Sequence, residues 1–186
     1  LKSLLSAFIS DGMGTGARAA IDSTMTASVL EKLLEGGFSV NGAINAVNSA
    51  MIMKSTDESI ATVDAVSVNL YTASADFYKA GAAISFIRSG DEIFLICQES
   101  LPIGIIRNIS PAHTRVNLAA GDIILLVSDG VTSEDCGWIN DELLSWSTNN
   151  MQDLASHIAG LAHLRTDKNN RDDITVAAIK INRVKS

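Results

Sequence analysis

The length, composition and charge of the chain exclude several classes of protein. Its 186 residues are 47% hydrophobic and 19% charged, so the chain can bury a hydrophobic core and does not resemble a disordered protein. The net charge of −7 argues against a nucleic-acid partner, because binding a phosphate backbone requires a basic surface. The apolar runs are far shorter than a membrane-spanning helix.

The start of the sequence and its cysteines lead to expectations about the extent of the domain and its cellular location. It begins at Leu1 within an apolar stretch, so we expect a single domain over residues 1–186, cut from a longer protein. Any membrane attachment is then expected from a region outside this chain. The two cysteines, Cys97 and Cys136, are too few for a disulfide framework and favour a reducing, cytoplasmic location. Cys97 follows apolar residues, and we expect it to be buried.

The N-terminal part predicts a strand followed by two helices. Leu4–Ile9 is an apolar strand pattern, and it ends in the glycine-rich segment Ser10–Gly16. Apolar residues at helical spacing then predict an amphipathic helix over Ala17–Leu34 and a second over Val40–Met53.

The remainder predicts mostly strands, with two helices near the C-terminus. The expected strands are Val66–Leu70, Asp76–Ala80, Ile84–Arg88, Glu92–Cys97, Ile123–Ser128 and Ile174–Ile181. The expected helices are Asn140–Ser147 and Met151–Leu164. Helices and strands that come in blocks rather than in alternation indicate an α+β fold.

Three acidic segments share one design, since each places an aspartate at the end of an apolar strand. Asp11 and Asp129 follow such strands, and Asp172 with Asp173 precedes the last one. If these strands lie side by side, the carboxylates converge and remain ionised only when a cation joins them. Oxygen ligands alone favour Mg²⁺ or Mn²⁺ over zinc.

Each acidic segment has a simpler interpretation as a turn or a solvated loop. The repetition of Ser-Asp-Gly, at Ser10–Gly12 and at Ser128–Gly130, favours matched chemistry over two unrelated turns. The glycine-rich segment also fits a loose dinucleotide-binding fingerprint. Two observations argue against a dinucleotide: Asp11 would repel a pyrophosphate, and the first helix is followed by a second helix where a Rossmann unit requires a strand.

The motifs resemble those of one bacterial family. The segment Ser10–Ala19 resembles the signature of the stage II sporulation protein E phosphatase domain, which belongs to the protein phosphatase 2C-like (PPM) superfamily. Ile124–Val131 and Arg171–Val176 resemble its later metal motifs, and Lys54–Glu58 and Leu101–Ile105 also resemble that family. The resemblance implies an antiparallel β-sandwich flanked by helices (αββα). It covers nearly the whole chain, in the same order.

The resemblance also implies roles for individual residues. Asp11 matches an aspartate that bridges two Mn²⁺ or Mg²⁺ ions, and Gly12 matches a residue that offers its carbonyl oxygen to one of them. Asp129 and Asp172 match further metal ligands, and Asp173 would lie just outside the ligand set. The family also carries a Gly-Asp pair on an upstream strand that this chain does not include, so we expect one ligand to be missing here and activity to be reduced.

The implied reaction is hydrolysis of phosphoserine or phosphothreonine on a protein by metal-activated water. By analogy with the family, the substrate is a phosphorylated anti-sigma factor antagonist in sporulation control. The two early helices would form a regulatory switch and a homodimer contact. The main alternative is a pseudo-phosphatase, which keeps the fold as an interaction module without full activity.

Overall fold

The computed structural model describes residues 4–14, 16–54, 59–132, 136–166 and 172–182. Residues 15, 55–58 and 171, which belong to the segments that resemble the phosphatase family, therefore lie outside the described residues. The described chain contains eight strands and five helices, which divide into two compact units. Each unit is built around one four-stranded sheet.

The first unit combines two long helices with a sheet. Its strands are β1 (Leu4–Gly12), β2 (Ala61–Asn69), β3 (Ser74–Ala80) and β6 (Ala112–Asn117), and its helices are α1 (Ala17–Glu35) and α2 (Val40–Lys54). The order of the described strands in the sheet is β1-β2-β3-β6, with β1 at one end. Both β1 and β3 pair antiparallel with β2. Helix α1 packs on β1 and on α2.

The second unit contains the other sheet and the C-terminal helices. Its strands are β4 (Ser85–Ser89), β5 (Glu92–Ile96), β7 (Ile123–Val127) and β8 (Val176–Lys180), and its helices are α3 (Asp129–Thr132), α4 (Gly137–Ser145) and α5 (Met151–Arg165). The order is β5-β4-β7-β8, and all three pairings are antiparallel. Helix α5 packs on β8.

Each unit encloses its own apolar cluster, which is why its helices fold onto its sheet. In the first unit, the helical stripe predicted over Val40–Met53 is buried against β2, and its Ala43 and Ile44 are fully buried. In the second unit, every residue of β7 is buried, as expected for a central strand that is apolar throughout. The cluster around it includes Phe86, Ile139, Leu143, Leu154 and Ile158.

The α+β class, with two antiparallel sheets and accompanying helices, is confirmed. Every predicted helix and strand is present, with shifts of up to five residues at its ends; the largest is in β2, which begins at Ala61 where the sequence predicted Val66. The shift that matters for function is in β1, which continues through Asp11 to Gly12, so that Asp11 is a strand residue. Helix α4 begins at Gly137, three residues before the predicted start at Asn140.

Three features differ from the sequence-based expectation. Cys97 is exposed, because β5 ends at Ile96 and lies at the edge of its sheet. Strand β6 was not predicted, since its residues His113, Arg115 and Asn117 are exposed and leave little apolar periodicity to detect. The short helix α3 was also not predicted.

The dinucleotide-binding interpretation is excluded by the topology of the first unit. A Rossmann unit needs parallel strands connected through one helix. Here the strand before the glycine-rich segment pairs antiparallel with the next one, and two helices connect them. Within the described part of the chain, every helix is too short or too polar to cross a bilayer.

Candidate functional site

Asp11 lies near the end of β1 and is held there by β2. It stands opposite Thr62 in the strand pair. The main-chain N–H of Asp11 donates to the Thr62 hydroxyl (3.1 Å), and the Ser10 hydroxyl donates to the Thr62 carbonyl oxygen (2.9 Å). Asp11 is half-buried, so its carboxylate is placed at the end of the strand without being enclosed by the core.

Gly12 lies against the first helix. A Cβ atom at this position would lie 2.0 Å from the carbonyl oxygen of Ala19 and 2.5 Å from its carbonyl carbon. These contacts are with main-chain atoms, which cannot turn aside as a side chain can, so only glycine allows α1 to approach this closely. The predicted metal-binding segment and the helix that follows it are therefore in direct contact.

Asp129 begins helix α3 directly after the buried strand β7. The residue before it, Ser128, is buried, while Asp129 itself is exposed. One carboxylate oxygen of Asp129 accepts a hydrogen bond from the N–H of Gly130 at 3.0 Å. The strand thus carries the carboxylate out of the core and the start of the helix fixes its direction.

Asp172 and Asp173 are joined to Asp129 through Ser128. The Ser128 hydroxyl donates to the Asp173 carbonyl oxygen and accepts from the Thr175 N–H, both at 2.9 Å. The Ser128 N–H donates to the Thr175 carbonyl oxygen, also at 2.9 Å. Because all three bonds involve one serine, the two acidic segments are held side by side.

Gly130 brings the same two segments into close contact. A Cβ atom here would lie 2.6 Å from the Asp173 carbonyl oxygen and 3.4 Å from the Asp172 carbonyl carbon. Asp172 and Asp173 are exposed, and Asp172 accepts from the Asp173 N–H at 2.9 Å. The second unit therefore presents the carboxylate-bearing segments of Asp129 and Asp172 together at its surface.

The donor atoms fit a divalent cation that prefers oxygen. The candidate ligands in both units are carboxylates and a main-chain carbonyl group, the chemistry that suits Mg²⁺ and Mn²⁺. The structure brings Asp129, Asp172 and Asp173 into neighbouring segments, whereas Asp11 and Gly12 belong to the other unit. Within the described ranges, no group of three or more His, Cys, Asp or Glu residues is assembled that could hold a metal ion.

The residues that organise the site include one, Thr62, that lies in none of the sequence motifs. Thr62 and Ser128 hold the aspartate segments through hydroxyl groups, and Ala19 sets the need for glycine at position 12. The only sequence signal for them is the serine that precedes the aspartate in both Ser-Asp-Gly repeats. Nothing local distinguishes Thr62, which lies 51 residues from Asp11.

Comparison with known proteins identifies the group to which this arrangement belongs. A family model described as stage II sporulation protein E matches residues 3–182. The stage II sporulation protein E of Bacillus subtilis (strain 168) is 35% identical over 182 residues, which are 94% of this chain and 22% of that protein. The chain thus spans less than a quarter of the length of this relative.

Solved structures show the same fold. One contains the PP2C phosphatase domain and a fragment of the regulatory domain of the cell fate determinant SpoIIE from B. subtilis. It matches with a TM-score of 0.86 at 34% identity, over 98% of this chain and 56% of that one. A manganese-presoaked crystal of the phosphatase domain of the same protein matches with a TM-score of 0.59 at 30% identity, over 98% of this chain and 88% of that one. The predicted family and PP2C-type phosphatase fold are confirmed.

Proposed function

The chain belongs to the stage II sporulation protein E family, and on this basis we propose that it is a metal-dependent phosphatase domain. Its reaction is the hydrolysis of phosphoserine or phosphothreonine on a protein. The observation that carries the proposal is the pair of hydrogen bonds made by the Ser128 hydroxyl. They hold Asp129 beside Asp172 and Asp173 at an exposed surface. Residues 1–186 act as one catalytic domain in this proposal.

The proposed metal ligands are Asp11, Gly12, Asp129 and Asp172, with Asp173 beside them. Two Mn²⁺ or Mg²⁺ ions at such a site supply the Lewis acidity that activates water and neutralises phosphoryl oxygens. The contribution of the chain is to hold the acidic segments in place before any ion arrives. Ser128 does this in the second unit, and the Ser10 and Thr62 hydroxyls do it in the first.

The proposal is tested by removing the charge of single carboxylates. Asp129→Asn and Asp172→Asn should each lower Mn²⁺-dependent hydrolysis of p-nitrophenyl phosphate by about 100-fold or more, an effect typical for losing one strong electrostatic contact. Asp153→Asn is the matched control, because Asp153 is an exposed carboxylate in the first turn of α5. Full activity in both site variants, or wild-type activity that survives a chelator, would contradict the proposal.

The proposed substrate is a phosphorylated anti-sigma factor antagonist, as the family resemblance implies. Exposure of the Asp129 and Asp172 segments supports a protein substrate, since a phosphorylated loop can reach them. Release of phosphate from the phosphorylated antagonist should exceed release from a phosphopeptide with the same local sequence. Equal rates on both would show that no larger protein surface is recognised. A cytoplasmic setting, with attachment to a membrane only through other parts of the protein, completes this proposal.

A homodimer through the early helices is proposed from their exposed apolar residues. Ile21 and Val29 on α1 and Met53 on α2 are exposed in the described chain, Met53 to 87%. The contact of Gly12 with α1 supports a switch in which these helices move the Asp11 segment. Ile21→Glu should shift the mass measured by light scattering from dimer to monomer, while Glu31→Lys on the same helix should not. A monomeric wild type would end this part of the proposal.

A second candidate function is that of a pseudo-phosphatase acting as an interaction module. In this candidate the exposed segments of Asp129 and Asp172 would serve as a binding surface for a protein partner. The two candidates differ in one measurement, the Mn²⁺-dependent turnover of the chain in the assay above. Binding of the phosphorylated antagonist without turnover would support the interaction module.

A further inference from the structure

The end of β1 needs support from its neighbour because of its place in the sheet. Among the described strands, β1 pairs with β2. Asp11 is the next-to-last residue of the strand, and the residues that follow include Gly14 and Gly16, both with positive φ (100° and 87°). Glycines restrict the backbone little, and the main-chain bond that follows Asp11, from the Met13 N–H to the Ile60 carbonyl oxygen at 2.9 Å, again comes from the segment that leads into β2.

Thr62, in contrast, lies on β2 directly before Val63, from which the strand is paired with both β1 and β3. Its strand lies between β1 and β3, and its neighbours Ala61 and Val63 are fully buried. Ala61 exchanges two main-chain hydrogen bonds with Ile103, at 2.9 and 3.2 Å. Two residues further along the strand, Asp64 forms a buried ion pair with Lys79 at 3.0 Å. The side chain of Thr62 therefore starts from a backbone that is fixed on both sides.

The hydroxyl of Thr62 connects this fixed point to Asp11. It accepts from the Asp11 N–H at 3.1 Å, and it can donate its own hydrogen to the Asp11 carbonyl oxygen at 3.4 Å. The Ser10 hydroxyl adds a bond to the Thr62 carbonyl oxygen at 2.9 Å. Thr62 thus forms hydrogen bonds with two successive residues, Ser10 and the proposed bridging aspartate Asp11.

We propose that Thr62 is a positioning residue for metal binding, which holds the main chain of Asp11 in place through its hydroxyl. This inference rests on the proposed function for the role of Asp11, although the hold itself can be measured without metal. Holding the carboxylate in advance reduces the ordering that binding an ion would otherwise require. Thr62 touches neither substrate nor metal in this proposal, because it acts through Asp11.

The test compares three variants of the chain. Thr62→Val keeps the shape of the side chain and removes the hydroxyl, whereas Thr62→Ser keeps the hydroxyl. Thr114→Val is the matched control on another strand of the same sheet, because the buried Thr114 hydroxyl has no hydrogen-bond partner among the described residues. Amide hydrogen exchange of Asp11 is followed by NMR in metal-free protein, and Mn²⁺ affinity is measured by calorimetry.

Thr62→Val should raise the exchange rate at the Asp11 amide by about fivefold and weaken Mn²⁺ binding by about five- to tenfold, the effect of losing one hydrogen bond of ordinary strength. The Mn²⁺ concentration that gives half-maximal turnover of p-nitrophenyl phosphate should rise by the same factor as the dissociation constant. Thr62→Ser should restore both values, and Thr114→Val should leave both unchanged. If Thr62→Val does not fold, Thr62→Ala is measured in its place.

Unchanged exchange at Asp11 in the folded hydroxyl-free variant would overturn the proposal, as would unchanged Mn²⁺ affinity. An equal loss in Thr114→Val would also overturn it, because the effect would then come from the general stability of the sheet. A wild-type chain that binds no Mn²⁺ would overturn the proposed function and the metal role of Thr62 together. The exchange rate at Asp11 would still establish whether Thr62 holds that residue.

Discussion

The two Ser-Asp-Gly segments have similar local structures but contact different parts of the chain. In both, the serine hydroxyl donates to a main-chain carbonyl oxygen of a neighbouring segment at 2.9 Å. In both, the glycine lies where another main chain passes too closely for a Cβ atom. At Gly12 that neighbour is helix α1, and at Gly130 it is the segment that carries Asp172 and Asp173.

This difference shows how one short motif serves two purposes. In the second unit the motif joins candidate metal ligands to one another, so their relative positions are set by three hydrogen bonds at Ser128. In the first unit the motif joins a candidate ligand to a helix, so the position of Asp11 depends on how α1 is seated. We therefore expect the first segment to respond to movement of the helices and the second to be rigid.

The largest effect is expected for Gly12→Ala, because the new Cβ atom would meet the Ala19 carbonyl group at 2.0 Å. Helix α1 must shift, at a cost of about 3 kcal/mol in unfolding free energy, measured by urea denaturation. The control is Gly160→Ala in α5, where a Cβ atom meets nothing within 4 Å and a gain of up to about 1 kcal/mol is expected. Unchanged stability and unchanged amide protection in α1 would mean that the helix is not seated on Gly12.

A smaller effect, of about 2 kcal/mol, is expected for Gly130→Ala. The nearest atom to its new Cβ is the Asp173 carbonyl oxygen at 2.6 Å, which is less severe than the contact at Gly12. The loss of amide protection should be confined to Thr175 and its neighbours, while α1 remains protected. If Gly130→Ala also lowered amide protection in α1, the contact of Gly130 with Asp173 and the contact of Gly12 with α1 would not be independent of each other.

The smallest effects are expected from the serines, and they should differ. Ser128→Ala removes two hydrogen bonds of a buried hydroxyl and should cost about 1–1.5 kcal/mol, because the Thr175 N–H is left without its partner. Ser10→Ala removes one bond of a half-buried hydroxyl and should cost about 0.5–1 kcal/mol. Urea denaturation of the two variants checks the order, and a larger loss for Ser10→Ala would reverse the comparison.

Most of the architecture could be predicted because it follows from local patterns. Helices α1, α2 and α5 were predicted from apolar spacing, and β7 from its continuous apolar run, since burial of these residues is what their patterns require. Strand β6 was missed because an edge strand with alternating exposed polar residues has little pattern to detect. Cys97 was wrongly expected to be buried, because a pattern cannot distinguish an edge strand from a central one.

By itself, the sequence determined that aspartates end or precede apolar strands, that Ser-Asp-Gly occurs twice, and which family these motifs resemble. Tertiary structure alone decided what those motifs touch. The hydroxyl of Thr62 reaches Asp11 across 51 residues, and that of Ser128 reaches Asp173 across 45. Such bonds depend on strand register, which is set by long-range pairing and the burial of one sheet face. The residue types therefore predicted the chemistry of the candidate site. The hydrogen bonds that hold its residues in place come from distant parts of the chain, which no local pattern specifies.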